Sequence, residues 1–389
     1  MAEQRLSRRL DQNDIQTQSS QEKKGRRPLL ANGKKSLAAL GAIASLAVPG
    51  TAAIIAAETT ASEQVAHAAL VAKKKKRLEL GIMDQGAMYR GENAVVADLG
   101  KRMGAKWTRI TVDMKRANAG LAPRHYNFDV YKNAINTYNS RGYKVQLTIG
   151  DMEFPRWAGT RSRPDKKDVL NFVTQTMKAV GKKADAVSIL NEPDWTHRNK
   201  KTGKKEQVNP CAYRSIFVEG RKIVRKINPG TPVWFGEGFN RDYFRKALNC
   251  SPKPVIAEGF AGHFYQLTSL PKENPHGMNI GNLDNVKRML QTEWKPRLHT
   301  AANKAVPIKA TELGAPTPAD KKRPHSESWG KRWWQQAIPI LRRNADVVIA
   351  YEVIQPPVRE SWDTSLTRRQ GNKHTPRPAF RVLQQNFKK

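Results

Sequence analysis

The stretch AVSILNEP, residues 186–193, decides the interpretation of this chain. A short apolar run leads directly into Asn191 and Glu192. A second stretch, PIKATELG at 307–314, repeats the arrangement, since another such run leads to Glu312. Short apolar runs bounded by polar residues are typical of buried strands. Each stretch therefore predicts a strand with a glutamate directly after it.

Outward from these stretches, strand-like runs alternate with amphipathic segments of helical spacing. The eight runs are Leu80–Met83, Trp107–Val112, Lys144–Ile149, Ala186–Leu190, Val233–Phe235, Phe260–Tyr265, Pro307–Ala310 and Val347–Val353. The helical segments are Asn93–Met103, Asp129–Ser140, Asp168–Val180, Tyr213–Ile227, Tyr243–Ala247, Val286–Leu298, Trp329–Arg343 and Ala379–Phe387. Repeated strand–helix alternation favours a parallel sheet. Eight units predict an α/β fold, a closed (β/α)8 TIM barrel over residues 78–389.

The predicted barrel brings the two glutamates together. In this fold, functional residues lie where strands end, on the carboxyl-terminal face. Strands four and seven stand on opposite sides of an eight-stranded barrel, so Glu192 and Glu312 face each other across its mouth. Two carboxyl groups, one protonated and one ionised, are what glycoside hydrolysis requires. Glu237, at the end of strand five, is an alternative carboxylate or a supporting partner.

The chain is strongly basic, with a formal net charge of +35. Residues 73–389 hold 60 of the 69 Lys and Arg residues and 28 of the 34 Asp and Glu residues. The excess therefore belongs to the folded region and not only to a basic tail. Such a charge attracts polyanions, among them acidic polysaccharides, teichoic acid, nucleic acid and anionic membranes, or it keeps the surface solvated. Charge alone does not choose between these partners.

Cys211 and Cys250 are the two cysteines of the chain. They form no CxxC pair, which argues against a zinc knuckle or a thioredoxin-type motif. In an exported protein they would close one disulfide, and two unpaired buried thiols are the alternative. We expect the bonded form. No Gly-rich dinucleotide loop, P-loop or metal-ligand spacing occurs, so the sequence predicts no cofactor and no metal.

The N-terminal region differs in composition from the rest of the chain. Residues 1–35 are basic and polar, residues 36–57 form an uncharged apolar segment, and residues 58–77 form a linker. A basic flank before an apolar run is typical of an export signal. The 22-residue run is also long enough for a membrane anchor, and a buried Ala-rich helix is a third alternative. We expect a protein that is secreted or anchored to the outer face of the cell membrane, with this segment as its only membrane contact.

Several motifs resemble clan A of the glycoside hydrolases, which includes cellulases, mannanases, β-xylosidases and iduronidases. The resemblance extends from about residue 78 to 389 and indicates the clan rather than a family within it. The segments that carry it are MGAKWTR (103–109), YNFD (126–129), PRWA (155–158), NEP (191–193), HFY (263–265), TE (311–312), WDTSL (362–366) and RPAF (377–380).

The resemblance implies a role for each matched polar residue. Glu192 would act as general acid and then as general base, with a pKa raised by its ionised neighbour. Glu312 would be the nucleophile, and Arg109 and the Tyr265 hydroxyl would keep it ionised. Asn191 would bind the 2-hydroxyl of the sugar.

The resemblance also implies aromatic contacts with the substrate and shows two departures. Trp157 and Trp195 would stack on sugar rings, and His263 falls near the nucleophile. Strand eight, residues 350–355, lacks the tryptophan that the clan often has there. Asp113 stands where a second-strand aromatic is common. The sugar subsite should therefore differ from the cellulase pattern.

The expected function is a retaining glycoside hydrolase that cleaves O-glycosidic bonds of a polysaccharide or oligosaccharide. The alternative is a non-catalytic basic barrel that binds acidic glycans or cell-surface polymers. Specific nucleic-acid binding is the weakest hypothesis, because no recognition motif is present. The sequence identifies neither the sugar nor the linkage, nor whether cleavage is endo or exo.

Overall fold

The computed structural model describes residues 77–151, 153–198, 203, 205–271, 277–357 and 362–388. The basic region at 1–35, the apolar segment at 36–57 and nearly all of the linker at 58–77 lie outside the described residues. Among the helices that are described, none has the length and hydropathy required to cross a bilayer.

Eight parallel strands close into a barrel. In chain order they are β1 Glu79–Met83, β2 Trp107–Val112, β3 Lys144–Ile149, β4 Ala186–Ile189, β5 Val233–Gly238, β6 Gly259–His263, β7 Ile308–Leu313 and β8 Ala345–Tyr351. Each strand pairs with the next in the chain, and β8 pairs with β1 to close the ring. The predicted TIM barrel is confirmed.

Helices occupy the connections between these strands. Those of the described residues are α1 Gln85–Tyr89, α2 Asn93–Met103, α3 Met114–Ala117, α4 Asp129–Asn139, α5 Lys166–Ala179, α6 Pro210–Ile227, α7 Arg241–Asn249, α8 Leu283–Gln291, α9 Glu327–Asn344 and α10 Pro378–Phe387. Three 3₁₀ turns lie at Arg156–Ala158, Gly181–Lys183 and Ile280–Asn282. Short strand pairs join His197–Arg198 with Lys205–Glu206, Val255–Ile256 with Leu298–His299, and Thr367–Gln370 with Lys373–Pro376.

The barrel strands are buried on both faces. Every residue of β2, β5 and β7 is buried, because one face meets the helices and the other meets the barrel interior. An apolar cluster that includes Met83, Trp107, Trp234 and Ile349 packs separately from the core under the helices.

Two strands run further than their hydrophobic patterns indicate. We predicted that strand five ends at Phe235 and strand seven at Ala310, whereas β5 reaches Gly238 and β7 reaches Leu313. Pairing with β6 is irregular at both of these ends. Such bulges redirect side chains and are common next to active sites. Glu237 and Glu312 are therefore held within strands rather than on loops.

A disulfide links two neighbouring helices of the barrel. Cys211 lies in the first turn of α6, and Cys250 directly follows α7. Their sulfurs are bonded, with Cα atoms 5.4 Å apart. The expected pairing is confirmed.

Candidate active site

The turn after β4 aims Glu192 at the barrel mouth. Leu190 and Glu192 both have left-handed backbone conformations, with φ of 63° and 43°. Such conformations cost of order 1–3 kcal/mol in residues other than glycine and cluster at functional sites. Hydrogen bonds from Leu190 N to Ile149 O, at 2.9 Å, and from Glu192 N to Glu237 O, at 2.7 Å, hold the turn. The neighbouring strands therefore enforce the position of Glu192.

Arg109, on β2, is the centre of the site. Its side chain is fully buried, and one terminal nitrogen donates to Glu312 Oε2 at 2.7 Å. The other donates to Asn191 Oδ1 at 2.6 Å and to Glu237 Oε2 at 2.8 Å. Its Nε donates to the hydroxyl of Thr148 at 3.1 Å. One cation therefore joins residues from the ends of β4, β5 and β7.

Glu312 has a hydrogen-bond donor at each carboxylate oxygen. Arg109 occupies Oε2, and the Tyr265 hydroxyl donates to Oε1 at 2.8 Å. The Glu312 side chain is 12% exposed. Both oxygens of Glu312 are therefore held by donors, and the carboxylate can still be reached by solvent and substrate.

The environment of Glu192 differs from that of Glu312, because its direct contact is with His263 rather than Arg109. Its side chain is also 12% exposed, and its Oε1 is 2.9 Å from His263 Nδ1. Burial, reinforced by the charge of Glu312, raises the pKa of Glu192 in spite of the opposing contact with His263. Glu192 therefore holds a proton more readily than an exposed glutamate does.

His263 connects the carboxyl groups. Its Nε2 lies 3.2 Å from Glu237 Oε2 and 3.7 Å from Glu312 Oε2. Burial alone would lower the pKa of His263, but the charge of Glu312 and the contacts with Glu192 and Glu237 raise it to about 10. Both ring nitrogens face acceptors, which suits the doubly protonated ring. His263 is therefore a second cation beside Arg109.

Glu237 is the third carboxylate of the site and is fully buried. It also accepts hydrogen bonds from Gln146 Nε2 at 3.1 Å and from the Thr311 hydroxyl at 3.2 Å. Burial would raise the pKa of Glu237, but the charge of Arg109 and the contact with His263 outweigh it and lower that pKa to about 2. The negative charge of Glu237 balances the buried cations, and its supporting role stays a prediction.

Glu192, His263 and Glu312 also lie close enough together to be considered as a metal-binding group. One ligand atom of each falls within 4.8 Å of the others. However, Arg109 and Tyr265 already donate to Glu312, and both His263 nitrogens face carboxylates. A zinc-ligating histidine is neutral and usually donates its other N–H to a partner that is not a metal ligand. The contacts of His263 therefore fit a hydrogen-bond network better than a metal site.

The comparisons with known proteins bear on the fold. No family model matches the chain, and no curated protein matches its sequence. A family 39 glycoside hydrolase from the gut symbiont Bacteroides cellulosilyticus WH2 aligns with a TM-score of 0.59 and 12% identity, over 80% of this chain and 63% of that one. The chain thus spans less than two thirds of that protein.

Two further solved structures agree with the first. GH5_18 from Streptomyces cattleya, in complex with GlcNAc, gives a TM-score of 0.58 with 11% identity over 80% of each chain. The catalytic core of xylanase A gives a TM-score of 0.56 with 10% identity, over 80% of this chain and 99% of that one. The chain has the fold of the clan A glycoside hydrolases. At such low identity the likeness establishes the fold.

Both the oxygen and the nitrogen of the Asn191 amide form hydrogen bonds in this barrel. Its Oδ1 accepts from Arg109, and its Nδ2 donates to Asp151 Oδ1 at 2.9 Å. An amide nitrogen carries two hydrogens, so one remains for the sugar hydroxyl that we expect it to bind.

The two tryptophans predicted to stack on sugars lie on neighbouring loops. Trp157 is half-buried, and its Nε1 donates to Asn118 Oδ1 at 3.1 Å. Trp195 is also half-buried and packs edge-on against Phe239, with ring centroids 5.7 Å apart. Trp157 also packs against Tyr126, with ring centroids 6.4 Å apart, and the backbone N–H of Trp195 donates to the Glu192 carbonyl oxygen at 3.0 Å.

The loop after β8 supplies an aromatic ring that the sequence analysis did not place in the site. The ring of Trp362 packs edge-on against Tyr265, with centroids 5.1 Å apart. Its segment, WDTSL, carried the resemblance, yet the sequence did not show which ring it would touch. Asp113, the other departure from the clan, caps α3 by accepting from the backbone of Lys115 and Arg116. The Asp113 carboxylate therefore has a capping role in this chain.

Proposed function

We propose that this barrel is a glycoside hydrolase that cleaves O-glycosidic bonds of a polysaccharide or oligosaccharide with net retention. One observation carries the proposal. Glu192 and Glu312 approach across the mouth of the barrel, with an oxygen of each within 4.8 Å. Burial raises the pKa of Glu192, whereas the two oxygens of Glu312 accept hydrogen bonds from Arg109 and Tyr265. Paired carboxyl groups with divergent environments are the hallmark of acid and nucleophile assignments.

In the first step, Glu312 attacks the anomeric carbon of the sugar. Arg109 and Tyr265 orient its carboxylate through one hydrogen bond to each oxygen. As the bond to the leaving group breaks, protonated Glu192 transfers its proton to the departing glycosidic oxygen. The products of this step are a glycosyl ester on Glu312 and a free alcohol.

In the second step, the Glu192 carboxylate removes a proton from water as the water oxygen attacks the anomeric carbon. The ester bond to Glu312 breaks, and both carboxyl groups return to their starting states. The carboxylate formed on Glu192 after the first step lies 2.9 Å from His263 Nδ1. The imidazolium stabilises that charge until water is deprotonated.

The spacing of the carboxyl groups supports retention. Retaining enzymes hold their carboxyl groups about 5–5.5 Å apart, whereas inverting enzymes need about 6.5–9.5 Å to admit a water. An oxygen separation within 4.8 Å fits the shorter spacing. Configuration is the finer part of the proposal, and the anomer formed first, read by proton NMR, tests it.

Substitutions at the two glutamates test the assignment of roles. Glu312→Gln should abolish turnover of every aryl glycoside, because no nucleophile remains. Glu192→Gln should spare the first step for good leaving groups, which need no proton, yet slow the second step. Azide should restore turnover in Glu192→Ala by replacing water as the attacking group. Glu293→Gln, a matched change at an exposed position, should have no effect. Full activity in Glu312→Gln would refute the assignment.

We also infer that the protein acts outside the cytoplasm. Disulfides persist in oxidising compartments, and the bond between Cys211 and Cys250 supports such a location. The basic flank at 1–35 followed by the apolar run at 36–57 supports it independently.

A further inference from the structure

Two loops on the carboxyl-terminal face place a cation on the same side of the barrel as the candidate nucleophile. The guanidinium of Arg323, on the loop after β7, lies 4.8 Å from the ring centroid of Trp362, on the loop after β8. Trp362 packs on the edge of Tyr265, whose hydroxyl donates to Glu312. The cation is therefore two aromatic rings away from the Glu312 carboxylate.

This pair holds two hydrogen-bond donors without acceptors. Within the described residues, Arg323 Nε and Trp362 Nε1 are closed to solvent and have no hydrogen-bond partner. Buried donors in native proteins are nearly always paired, so each exception calls for an explanation. Here two such donors stand in one stacked pair, on the face of the barrel that carries Glu312.

Arg323 also differs from comparable arginines of the chain. Arg221 and Arg377 also have a buried Nε without a hydrogen-bond partner, but each forms an ion pair with a glutamate, as Arg369 does. Over the described ranges, no carboxylate oxygen lies within 4.0 Å of the Arg323 guanidinium. Burial lowers the pKa of Arg323 against the opposing charge of Asp320. The cation is thus partly desolvated and lacks a direct counter-ion.

A buried carboxylate holds the loops of Arg323 and Trp362 together. Asp320 is fully buried, and its Oδ1 accepts from the backbone N–H of Arg323 at 2.7 Å. Its Oδ2 accepts from the backbone N–H of Asp363, the residue after Trp362, at 3.3 Å. Asp363 in turn accepts from the Thr317 hydroxyl at 3.0 Å. Asp320 therefore fixes both loops, and its oxygens are occupied by backbone rather than by the guanidinium.

We propose that Arg323 and Trp362 form a subsite for an anionic group on the substrate glycan, either the carboxylate of a uronic acid or a sulfate ester. The inference rests on the proposed function, because it places the subsite next to the reacting sugar. An oxyanion accepts from the planar fork of a guanidinium and from an indole N–H. The excess of basic residues over the barrel would favour the approach of such a substrate.

Binding to an inactivated chain tests the subsite without requiring turnover. The Glu312→Gln chain is titrated calorimetrically with oligogalacturonates and with chondroitin sulfate fragments, each beside a neutralised partner made by carboxyl reduction or desulfation. The two arms separate a carboxylate from a sulfate ligand. Tighter binding of at least one anionic fragment than of its neutralised partner is expected, and equal binding of both pairs overturns the proposal.

Substitution of the arginine identifies the subsite. Arg323→Gln, added to Glu312→Gln, should weaken binding of the preferred anionic fragment roughly 10- to 100-fold, as expected for a lost charge-assisted hydrogen bond. It should leave the neutralised fragment almost unchanged. Lys321→Gln makes the same charge change at an exposed position of the same loop and should have little effect. Arg323→Lys should fall between, because it keeps the charge without the fork. Equal effects of the Arg323 and Lys321 changes would refute the subsite.

The outcome also separates this inference from the proposed function. If the native chain hydrolyses glycans and neither binding nor hydrolysis depends on Arg323, the proposed hydrolase function is supported and the subsite is refuted. If binding depends on Arg323 but the native chain hydrolyses no fragment, the subsite is supported and the catalytic function is refuted.

Discussion

Replacing Arg109 by methionine should destabilise the protein strongly, and the size of the effect follows from Glu237. Arg109 and Glu237 are both fully buried and lie 2.8 Å apart. The pKa of Glu237 is about 2 against an ordinary value of 4.5, a difference that corresponds to about 3 kcal/mol. Removing one partner of a buried ion pair typically costs about 3–5 kcal/mol. We therefore expect Arg109→Met to lower the free energy of unfolding by about 3–5 kcal/mol at neutral pH.

The pH dependence of this loss has a definite sign. A carboxylate with a depressed pKa in the folded state contributes stability above its unfolded pKa and loses that stability as the pH falls through its folded pKa. The difference in free energy of unfolding between the native protein and Arg109→Met should therefore become smaller as the pH is lowered from about 4.5 to 2. Urea titrations across this range measure it.

A double substitution shows whether the unpaired charge is responsible. Arg109→Met combined with Glu237→Gln removes both charges, so it should be more stable than Arg109→Met alone. If the double variant is no more stable, or if the gap does not change with pH, the buried-pair reasoning is wrong.

Four further outcomes follow from the structure. If Glu192 is the general acid, kcat/KM should fall as the pH rises through its raised pKa, and a pH–rate profile that lacks this alkaline limb would contradict the role. Replacing Cys211 and Cys250 by serine should lower the free energy of unfolding by about 4 kcal/mol on the chain-entropy model, and an unchanged urea midpoint would count against it. N-terminal sequencing of the exported protein should find a first residue between about Ala57 and Ala72, or else an intact anchored chain. A full-length soluble cytoplasmic protein would contradict both. Binding of an anionic polymer should weaken steeply with salt while a neutral oligosaccharide shows little response, since counterion release drives only the former.

The barrel could be predicted from the sequence because each strand is a short apolar run between polar residues. Each helix also repeats its apolar residues at helical spacing, so local patterns determine most of the topology. The strand ends were harder to predict. β5 and β7 continue past their apolar runs through irregular pairing, and Gly236 permits this because a Cβ there would lie 2.1 Å from the Ala261 carbonyl oxygen. No local pattern shows that contact.

The site could be predicted only in part. The two facing glutamates follow from strand position in a barrel, but the contacts of Arg109 depend on residues up to 203 positions away in the chain. The protonation of His263 depends on three carboxyl groups meeting around one ring. Trp362 contacts Tyr265 from the loop after β8, and hydrophobic periodicity does not predict the conformation of a loop.

The bond between Cys211 and Cys250 closes the segment between them into a covalent ring. The enclosed segment contains most of α6, all of β5 with Glu237, and α7. The turn at Pro229 and Gly230 within it is exposed. A protease that cuts at this turn would leave both new ends tethered to the same body, so a single nick cannot release β5. A nicked molecule would migrate as one band until it is reduced and would then separate into two fragments.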